Sequence, residues 1–199
     1  MPALQTGGRT PTPRGRLRRQ RILDATAELV AARGFHAVGV ADIGAAAGVT
    51  GSAIYRHFAN KEEVLVALVE RVVDELLRGA RRVIREASRP DQALDALICA
   101  HAEFAVRDRA IIAVYDQEIH NLPTDERRRL RGQQRRYVDL WADVLAELRP
   151  ATDRVTVVAS VHAVFGLLNS VADFEARIPD DALTALLTDM ARASLARRA

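Results

Sequence analysis

Residues 40–65 constrain the fold of this chain more than any other stretch, because they contain two short helical segments joined by a glycine turn. The residues that share one face of the first segment are Val40, Ile43 and Ala47. Gly48 can end this segment with a positive φ, and Thr50 can N-cap the next one, which spans residues 51–58. Since a helix of that length is unstable alone, it must pack against its neighbour. The pattern predicts a helix-turn-helix, in which the second helix enters the major groove of DNA.

The residues on either side of this motif predict a longer helix before it and another after it. An apolar stripe along residues 16–33, ended by Gly34, indicates the first of these helices. Asn60 and Glu63 have the spacing of a capping box, in which Asn60 caps the helix and Glu63 reaches back. We expect the helix that begins at Lys61 to be long enough to link the motif to the rest of the chain.

Basic residues are concentrated at the amino-terminal end. Residues 1–61 contain nine Lys and Arg and three Asp and Glu, whereas residues 62–199 contain twenty and twenty-three. This asymmetry indicates an end that faces nucleic acid, attached to a mildly acidic body. A cluster of arginines precedes the motif, at Arg14, Arg16, Arg18, Arg19 and Arg21. It fits either an arm that touches DNA or a solvated tail, since the chain is rich in arginine and Lys61 is its only lysine.

The remaining sequence predicts helices and lacks the alternation of strands. Prolines fall between the helical segments, where a missing N–H costs little, at Pro90, Pro123, Pro150 and Pro179. The segments expected to be helical are residues 91–107, 109–120, 124–148, 153–175 and 180–197. Residues 1–13 contain three prolines and no apolar period, which predicts a disordered arm. We expect an all-α fold of about nine helices, with a helix-turn-helix domain at residues 14–61 and a helical body at residues 62–199.

One uncharged run of 18 residues, from Val155 to Ala172, is close to the length of a membrane span. Its polar side chains are Thr156, Ser160, His162, Asn169 and Ser170. Because of them we interpret the run as a helix buried in protein, and we expect no membrane association. No apolar amino-terminal segment typical of a signal peptide is visible, and a single cysteine, Cys99, excludes an intrachain disulfide and a cysteine-based zinc site. We expect a cytoplasmic protein with no metal and no other cofactor.

Motifs of catalysis are absent from the sequence. It contains no nucleophile elbow, phosphate-binding loop, dinucleotide-binding glycine pattern or zinc-protease motif. The five histidines have no metal-ligand spacing, and Asp116 and Glu118 are two residues apart, so they point to different faces of a helix. Cys99 lies in an apolar context typical of an inert core thiol. The sequence therefore favours a function other than catalysis.

The residues from Ala32 to Leu65 resemble the DNA-binding region of the TetR family of repressors. The matching residues are ARGF at 32–35 and DIGAAAGVTGSAIYRHFANKEEVL at 42–65. The resemblance implies a homodimer of nine-helix subunits, in which the last two long helices form a four-helix bundle with the partner. It implies that the body binds a ligand and dimerises. It also implies a repressor that binds double-stranded DNA at a palindromic operator and is released by the ligand.

Carried over by position, the resemblance implies two sets of DNA contacts. Phosphate contacts are implied for Thr50, Tyr55, His57 and Lys61, and base contacts for Gly51, Ser52, Ala53 and Arg56. Lys61 adds a charge to the positive end of a helix, which suits a phosphate. Arg56 can pair with the O6 and N7 atoms of guanine.

Two positions depart from the family pattern. Gly39 stands where Thr or Ser usually caps the first motif helix, and Gly51-Ser52 stands where a basic residue followed by Gly is usual. These departures leave Arg56 as the main base-reading group of the second helix. Two of these phosphate contacts have an alternative: Tyr55 can be a tyrosine that only packs against its neighbours, and His57 can be a surface histidine that does not contact DNA.

Aromatic and polar residues of the body fit either a ligand pocket or an ordinary helical core. The residues assigned to the candidate pocket are His101, Phe104, Tyr115, Arg135, Trp141, His162 and Phe165. Residues 113–123 and 131–141 are similar to actinobacterial regulators of fatty-acid and sterol breakdown, which sense acyl-CoA thioesters. This similarity implies a small hydrophobic effector, with an acyl-CoA as one candidate. Arg135 and Arg136 would then meet the CoA phosphates, or else form a solvated helix face.

The uncharged helix from Val155 and the last helix are the predicted dimer interface, with plain core packing as the alternative. The small and apolar residues assigned to it are Ala159, Ala163, Gly166, Ala182, Leu183, Leu186, Leu187 and Met190. Together these features predict a cytoplasmic, homodimeric, ligand-responsive repressor. A ligand-independent DNA-binding protein and an all-helical enzyme are the competing interpretations.

Overall fold

A computed structural model describes residues 12–174 and 177–196, and within these residues the chain is helical without strands. The helices are α1 (Pro13–Arg33), α2 (Val40–Ala46), α3 (Gly51–Ile54), α4 (Lys61–Glu86), α5 (Pro90–Arg107), α6 (Arg109–Glu118), α7 (Thr124–Leu148), α8 (Arg154–Asn169) and α9 (Asp180–Ala196). A short 3-10 helix, Ser170–Ala172, follows α8. The all-α prediction is confirmed. The chain divides into two compact units between Val64 and Leu65, so α4 begins in the first unit and continues into the second.

In the first unit, α1 begins earlier than the sequence predicted. The Thr12 hydroxyl accepts a hydrogen bond from the Gly15 N–H at 3.2 Å, and Pro13 occupies the first turn. Helix α1 ends at Gly34, which has a φ of 75°. Thr12 and Pro13 are therefore ordered, and the arginine cluster lies on a helix and not on an extended arm. The other residues of the predicted arm, 1–11, lie outside the described residues.

The turn between α2 and α3 is tight and depends on two glycines. Gly48 has a φ of 65°, as predicted from its place after the first motif helix. The Val49 N–H donates to the Gly44 carbonyl at 2.8 Å, which brings the chain back over α2. A Cβ on Gly44 would lie 2.9 Å from the Val49 oxygen and 3.1 Å from the Gly51 nitrogen. Both are backbone atoms that cannot swing away, so only glycine fits at position 44.

Two details of the predicted capping and length of α3 are wrong. Thr50 occupies the N-cap position, but its side chain makes no capping bond, and its hydroxyl lies 3.0 Å from that of Ser52 instead. The helix ends at Ile54, and Tyr55 to His57 form a turn, so the helical segment doesn't extend to Phe58. Burial of Ile54 and Phe58, each 1% exposed, holds the short segment in place.

The cap of α4 agrees with the prediction except for the residue whose N–H donates to the Glu63 carboxylate. The Asn60 side chain accepts from the Glu63 N–H at 2.7 Å, as a capping residue does. Glu63 reaches back, but it accepts from the N–H of Ala59, at 2.5 Å, and not from that of Asn60. The first turn of α4 is thereby fixed, and with it the position of Lys61.

In the second unit, α5 packs against α7, α8 and α9, and α8 also packs against α7 and α9. The core includes Trp141, Leu97, Ile98, Leu130 and Leu145, each at most 2% exposed. Arg149 donates to the Leu195 carbonyl at 2.6 Å and so joins the end of α7 to the end of α9. Arg109 and Asp180, at 3.0 Å, join the start of α6 to the start of α9.

Helix α8 is shorter than the sequence predicted, because its helical hydrogen bonding stops at Asn169, and it is also less buried. One face is buried through Val157, Val161, Val164 and Leu168, each at most 2% exposed. The opposite face is open, and Val155 is 78% exposed. The stretch Arg154–Ala172 is long and apolar enough to cross a membrane by length and composition, and 28% of it is buried. Within the single chain, the helix that we expected to be buried in protein is therefore buried on one face only.

Candidate functional site

The exposed surface of α3 and the turn after it contains most of the residues predicted to contact DNA. Tyr55 is 58% exposed although it is a large aromatic residue, and Thr50, Ser52 and Arg56 are exposed beside it. Gly51 and Lys61 are half-buried. An exposed tyrosine at the end of a short helix, flanked by hydroxyl groups and an arginine, can donate hydrogen bonds to phosphate oxygens and base edges.

Ala53 is a correction to the predicted base-facing set. Its side chain is 4% exposed and lies in the core of the first unit with Ile54. A helix of four residues has only one outward face, and α3 turns Ser52 outward and Ala53 inward. The Ala53 methyl group is therefore unavailable to a base.

His57 lies half-buried in strongly basic surroundings. Burial, and then the positive charges of Arg18, Arg56 and Arg19, lower the pKa of His57 from its ordinary value. Two of these arginines belong to α1, so the arginine cluster of the sequence contributes to the same positive region as α3 and the turn after it, which we call the recognition segment. A neutral His57 can still donate one ring N–H to a phosphate oxygen.

Two cations of the first unit are held over aromatic rings. The Lys61 ammonium lies 4.1 Å from the centroid of the Phe35 ring, and the Arg19 guanidinium lies 4.8 Å from that of Phe58. Both rings are buried, at 6% and 1% exposure. Attraction between a cation and a ring face restricts where each charge can be, so it orders the basic groups before any ligand arrives.

Gly44 is a structural determinant of this surface that the sequence reasoning missed. It holds α2 close to the start of α3 and so sets the position of the recognition segment. The available signal was a glycine in the interior of a helix, where it costs stability unless another part of the backbone approaches closely.

The second unit contains a cavity of about 300 Å³ between the helices of the body. Five of the seven predicted pocket residues line it: His101, Phe104, Tyr115, His162 and Phe165. Four apolar residues of α4 also line it, and the sequence reasoning had not assigned them: Val69, Val72, Val73 and Leu76. A cavity of this size with mostly apolar walls and a few polar groups is typical of a small-molecule site.

Arg135 and Trp141 lie outside the lining of this cavity. Arg135 is exposed on α7, and the side chain that α7 turns inward two residues later is that of Tyr137. Trp141 is fully buried behind the wall, with its ring edge-on to that of Phe165 at 5.0 Å between centroids. Trp141 therefore supports a wall residue and doesn't face the cavity.

A buried hydrogen-bonded chain forms one polar end of the cavity. Nδ1 of His101 lies 3.1 Å from the Tyr137 hydroxyl, and Nε2 of His101 lies 3.1 Å from Oδ1 of Asn169. Because a carboxamide oxygen only accepts, Nε2 bears the proton, and Nδ1 accepts from the Tyr137 hydroxyl. Burial lowers the pKa of His101 to about 4 and raises the pKa of Tyr137, so both groups are neutral at pH 7. The His101 ring also stacks on that of Phe165 at 4.6 Å.

A second polar pair lies on another wall of the cavity. The Tyr115 hydroxyl donates to Oε1 of Gln134 at 2.8 Å. Burial raises the pKa of Tyr115, so the hydroxyl keeps its proton. Asp116 lines the cavity although the residue as a whole is exposed. Partial burial of its carboxyl and, to a smaller extent, the negative charge of Asp173 raise the pKa of Asp116. Gln134 and Asn169 are not among the pocket residues that the sequence predicts, although a lone carboxamide in the apolar α8 is a visible signal.

Two family models match the chain. The model of bacterial regulatory proteins of the tetR family matches residues 22–68, and the model of the tetracyclin repressor-like C-terminal domain matches residues 87–173. The first covers the helix-turn-helix and the start of α4, and the second covers most of the helices that enclose the cavity.

Relatives and solved structures agree with these matches. The HTH-type transcriptional repressor KstR2 of Rhodococcus jostii is 30% identical over 129 residues, which is 64% of this chain and 63% of the relative. The chain thus spans less than two thirds of that relative. The structure of the ketosteroid transcriptional regulator KstR2 of Mycobacterium tuberculosis superposes with a TM-score of 0.69 and 25% identity, covering 90% of this chain and 93% of that one.

The fold is also that of FadR from Bacillus subtilis, solved in complex with stearoyl-CoA, with a TM-score of 0.71 and 19% identity over 88% of this chain and 98% of that one. Family models therefore match both compact units of the chain, and the helix-turn-helix geometry agrees with them. The chain belongs to the TetR family of bacterial regulatory proteins.

Proposed function

We propose that this protein is a ligand-responsive transcriptional repressor that binds a palindromic DNA operator as a homodimer and is released from it by a small hydrophobic effector. The observation that carries the proposal is the exposed recognition surface formed by Ser52, Tyr55 and Arg56. Arg18 and Arg19 add positive charge at His57, beside this surface, and Lys61 begins the helix that follows it. The relatives that match the chain are transcriptional regulators, which supports a role in DNA binding and not in catalysis.

The roles of individual residues follow from their chemistry. Thr50, Tyr55, His57 and Lys61 present donors or a positive charge, which suits phosphate oxygens. Arg56 has the fork of donors that guanine accepts, and Gly51 and Ser52 allow the backbone to come close to base edges. In a dimer, two such segments would occupy successive major grooves about 34–36 Å apart.

An exposed apolar face on α8 and α9 supports the homodimer. Val155 is 78% exposed, Leu186 50% and Met190 48%. Helix α8 also exposes three small residues, Ala159, Ala163 and Gly166, the last of which lines the cavity as well. Small residues let two helices approach closely. Leu183 and Leu187, which the sequence assigned to the interface, are buried in the chain's own core and take no part in this face. A second copy that buries the face would remove the apolar surface from water.

The cavity supports a response to a ligand. Helix α4 provides four cavity-lining residues in the second unit, and its first residue is Lys61, a candidate DNA contact. An effector that binds one conformation of the body better than another shifts the population of conformations, and α4 is the continuous element through which such a shift can reach Lys61. A protein that binds DNA without regulation needs no such cavity.

Two further parts of the proposal concern the effector and the location of the protein. An acyl-CoA is one candidate effector, because the body resembles regulators that sense acyl-CoA, and a neutral sterol-like molecule is another. A protein that binds DNA and intracellular metabolites works in the cytoplasm.

Cys99 does not favour the alternative of an enzyme, because burial raises the pKa of its thiol and so lowers its nucleophilicity.

Fluorescence anisotropy of labelled DNA from upstream of the protein's own gene tests the proposal. We expect tight binding that competitor DNA of random sequence does not displace, and release by one class within a panel of acyl-CoAs, sterols and apolar aromatic compounds. Binding that is equal for all DNA sequences would contradict a specific repressor. Specific binding that no member of the panel changes would favour a ligand-independent DNA-binding protein.

A further inference from the structure

The geometry points to an effector whose buried part is uncharged and apolar and presents a carbonyl or similar hydrogen-bond acceptor to Asn169 and Gln134. This inference rests on the proposed function, since it names the chemistry of the molecule that the cavity takes. It depends on which hydrogen-bonding groups of the cavity are already used by the protein and which are left over.

The carboxamide oxygens at the cavity are both occupied. Oδ1 of Asn169 accepts from Nε2 of His101 at 3.1 Å, and Oε1 of Gln134 accepts from the Tyr115 hydroxyl at 2.8 Å. These bonds fix the orientation of each amide, so that its NH₂ group is the end left for a ligand. The His101 ring is also fully used, since Nδ1 accepts from Tyr137. The cavity therefore offers amide N–H donors whose orientation is fixed by these bonds, which suits a ligand oxygen that accepts.

The charges of the lining exclude an anionic group from the interior. The seventeen lining residues, all within the described part of the chain, include no lysine or arginine. The carboxylate among them, Asp116, is at the exposed side and would repel an anion. Arg131 acts on the Tyr115 hydroxyl through its charge, but it is exposed and lies outside the lining. A carboxylate or phosphate inside the cavity would lose its hydration without gaining a lysine or arginine as its partner.

A cationic ligand fits no better, although Asp116 is acidic. An ammonium group needs several acceptors around its N–H bonds, and the oxygens of Asn169 and Gln134 each already accept one hydrogen bond, from His101 and Tyr115. The remaining walls are apolar, formed by Val69, Val72, Val73, Leu76, Ile111 and Ile112. A neutral molecule with an apolar body gains from burial against these walls.

A matched series of eleven-carbon probes tests the inference: methyl nonyl ketone, undecane, undecanoate and undecylamine. Trp141 is the only tryptophan of the chain and lies against Phe165 of the cavity wall, so its fluorescence reports occupancy without a label. We expect the ketone to bind about tenfold more tightly than the hydrocarbon, as one or two net hydrogen bonds imply. We expect undecanoate and undecylamine to bind more weakly than the ketone. A carboxylate or amine that binds as tightly as the ketone, or a series without any binding, would overturn the inference.

Two variants on one helix identify the donor. Gln134→Leu removes the amide from the cavity, and Gln133→Leu makes the same change at the adjacent, non-lining position. We expect Gln134→Leu to reduce the preference for ketone over hydrocarbon severalfold and Gln133→Leu to leave it unchanged. Equal effects in the two variants would contradict the role of Gln134. The preference is the ratio of the ketone affinity to the hydrocarbon affinity, measured in one protein. A general loss of stability lowers both affinities and therefore does not change this ratio.

Two further measurements complete the test. The first asks whether the bound carbonyl belongs to a thioester or to a ketone or ester, and the second asks whether the same protein still binds DNA. Undecanoyl-CoA, compared with CoA alone, presents the carbonyl as a thioester whose charged part stays outside the lining. Tight binding of undecanoyl-CoA assigns the carbonyl to a thioester, and tight binding of the ketone alone assigns it to a ketone or ester. DNA binding is measured on the same preparation. A protein that binds its operator but prefers a charged probe would refute the inference and leave the proposed repressor intact.

Discussion

Nε2 of His101 on α5 donates to Oδ1 of Asn169 at the end of α8, at 3.1 Å, across 68 residues of sequence. With the bond from the Tyr137 hydroxyl, the imidazole connects α5, α7 and α8 beside the cavity. In the neutral ring Nε2 donates to Asn169 and Nδ1 accepts from Tyr137, so both nitrogens are satisfied. Burial of the ring keeps His101 uncharged at this polar end of the cavity.

The stability of the protein should fall in mildly acid solution because of His101. Burial lowers the pKa of His101 to about 4, below the ordinary value of 6.5 that it has in the unfolded chain. Between these values the unfolded state binds a proton that the folded state does not, so the contribution is fully present above pH 6.5 and is lost as the pH falls. We expect a loss of about 3 kcal/mol in the free energy of unfolding between pH 7 and pH 4, measured by urea denaturation.

Two variants separate this effect from the titration of carboxylates. His101→Phe should have a flatter dependence of stability on pH, whatever its absolute stability, since it removes the titrating group. His120→Gln changes an exposed histidine and should keep the wild-type dependence. A wild-type curve parallel to that of His101→Phe would contradict the assignment.

Gly44→Ala should disrupt the helix-turn-helix. The new Cβ would meet the Val49 and Gly51 backbone at 2.9 Å and 3.1 Å, and relief requires a shift of the turn. We expect a loss of about 1–3 kcal/mol in the free energy of unfolding and weaker DNA binding. Gly132→Ala is the matched control, because its Cβ would meet nothing within 4 Å inside α7. It should stabilise the protein slightly, by about 0.5–1 kcal/mol. Equal outcomes for the two variants would refute the close approach at Gly44.

Lys61→Met should weaken binding to DNA of any sequence while it keeps the packing of an aliphatic chain on Phe35. If Lys61 neutralises one phosphate, the slope of log affinity against log salt should fall by about one. Arg85→Met, an exposed change near the other end of α4, is the charge-matched control and should leave the slope unaltered. An unaltered slope in Lys61→Met would end the assignment of Lys61 to a phosphate.

Tyr55→Phe isolates the contribution of a hydroxyl group on the exposed ring. If the hydroxyl donates to a phosphate oxygen, its removal should lower DNA affinity by about one to two orders of magnitude, since hydrogen bonds to charged groups are worth about 1.5–3 kcal/mol. Anisotropy titrations with two unrelated operators should show the same loss, because a phosphate contact does not depend on sequence. If only Tyr55→Ala weakens binding, the ring packs against DNA without a hydrogen bond from the hydroxyl.

Leu186→Glu should convert the protein to a monomer. The side chain is 50% exposed in the single chain, and a charge there would be buried without a partner in the proposed homodimer. Size-exclusion chromatography with light scattering at micromolar concentration should report a dimer for the wild type and a monomer for the variant. Leu17→Glu, at a 62% exposed leucine of α1, is the control and should remain dimeric. A monomeric wild type would reject the interface on α8 and α9.

Local chemistry explains why much of the first unit could be predicted from the sequence. The positive φ of Gly48, the cap at Asn60 and the helix stop at Gly34 each depend on a residue and its immediate neighbours. The helical periods and proline positions of the body are local in the same way, so the order of helices followed from them. Thr50 shows where prediction from neighbouring residues fails: its hydroxyl has more than one possible partner nearby, and in the structure it contacts Ser52 instead of capping α3.

By itself, the sequence determined the helix-turn-helix, the order of helices and the apolar character of the last two long helices. Tertiary structure decided which face each residue presents: Ala53 is inward and Ser52 outward, Leu187 is in the core and Leu186 on the surface, and Trp141 lies behind the cavity wall. It also decided the pairing of His101 with Asn169. The physical reason is that helical periodicity identifies an apolar side of a helix but not the neighbour that covers it, and a cavity is a property of several packed helices at once.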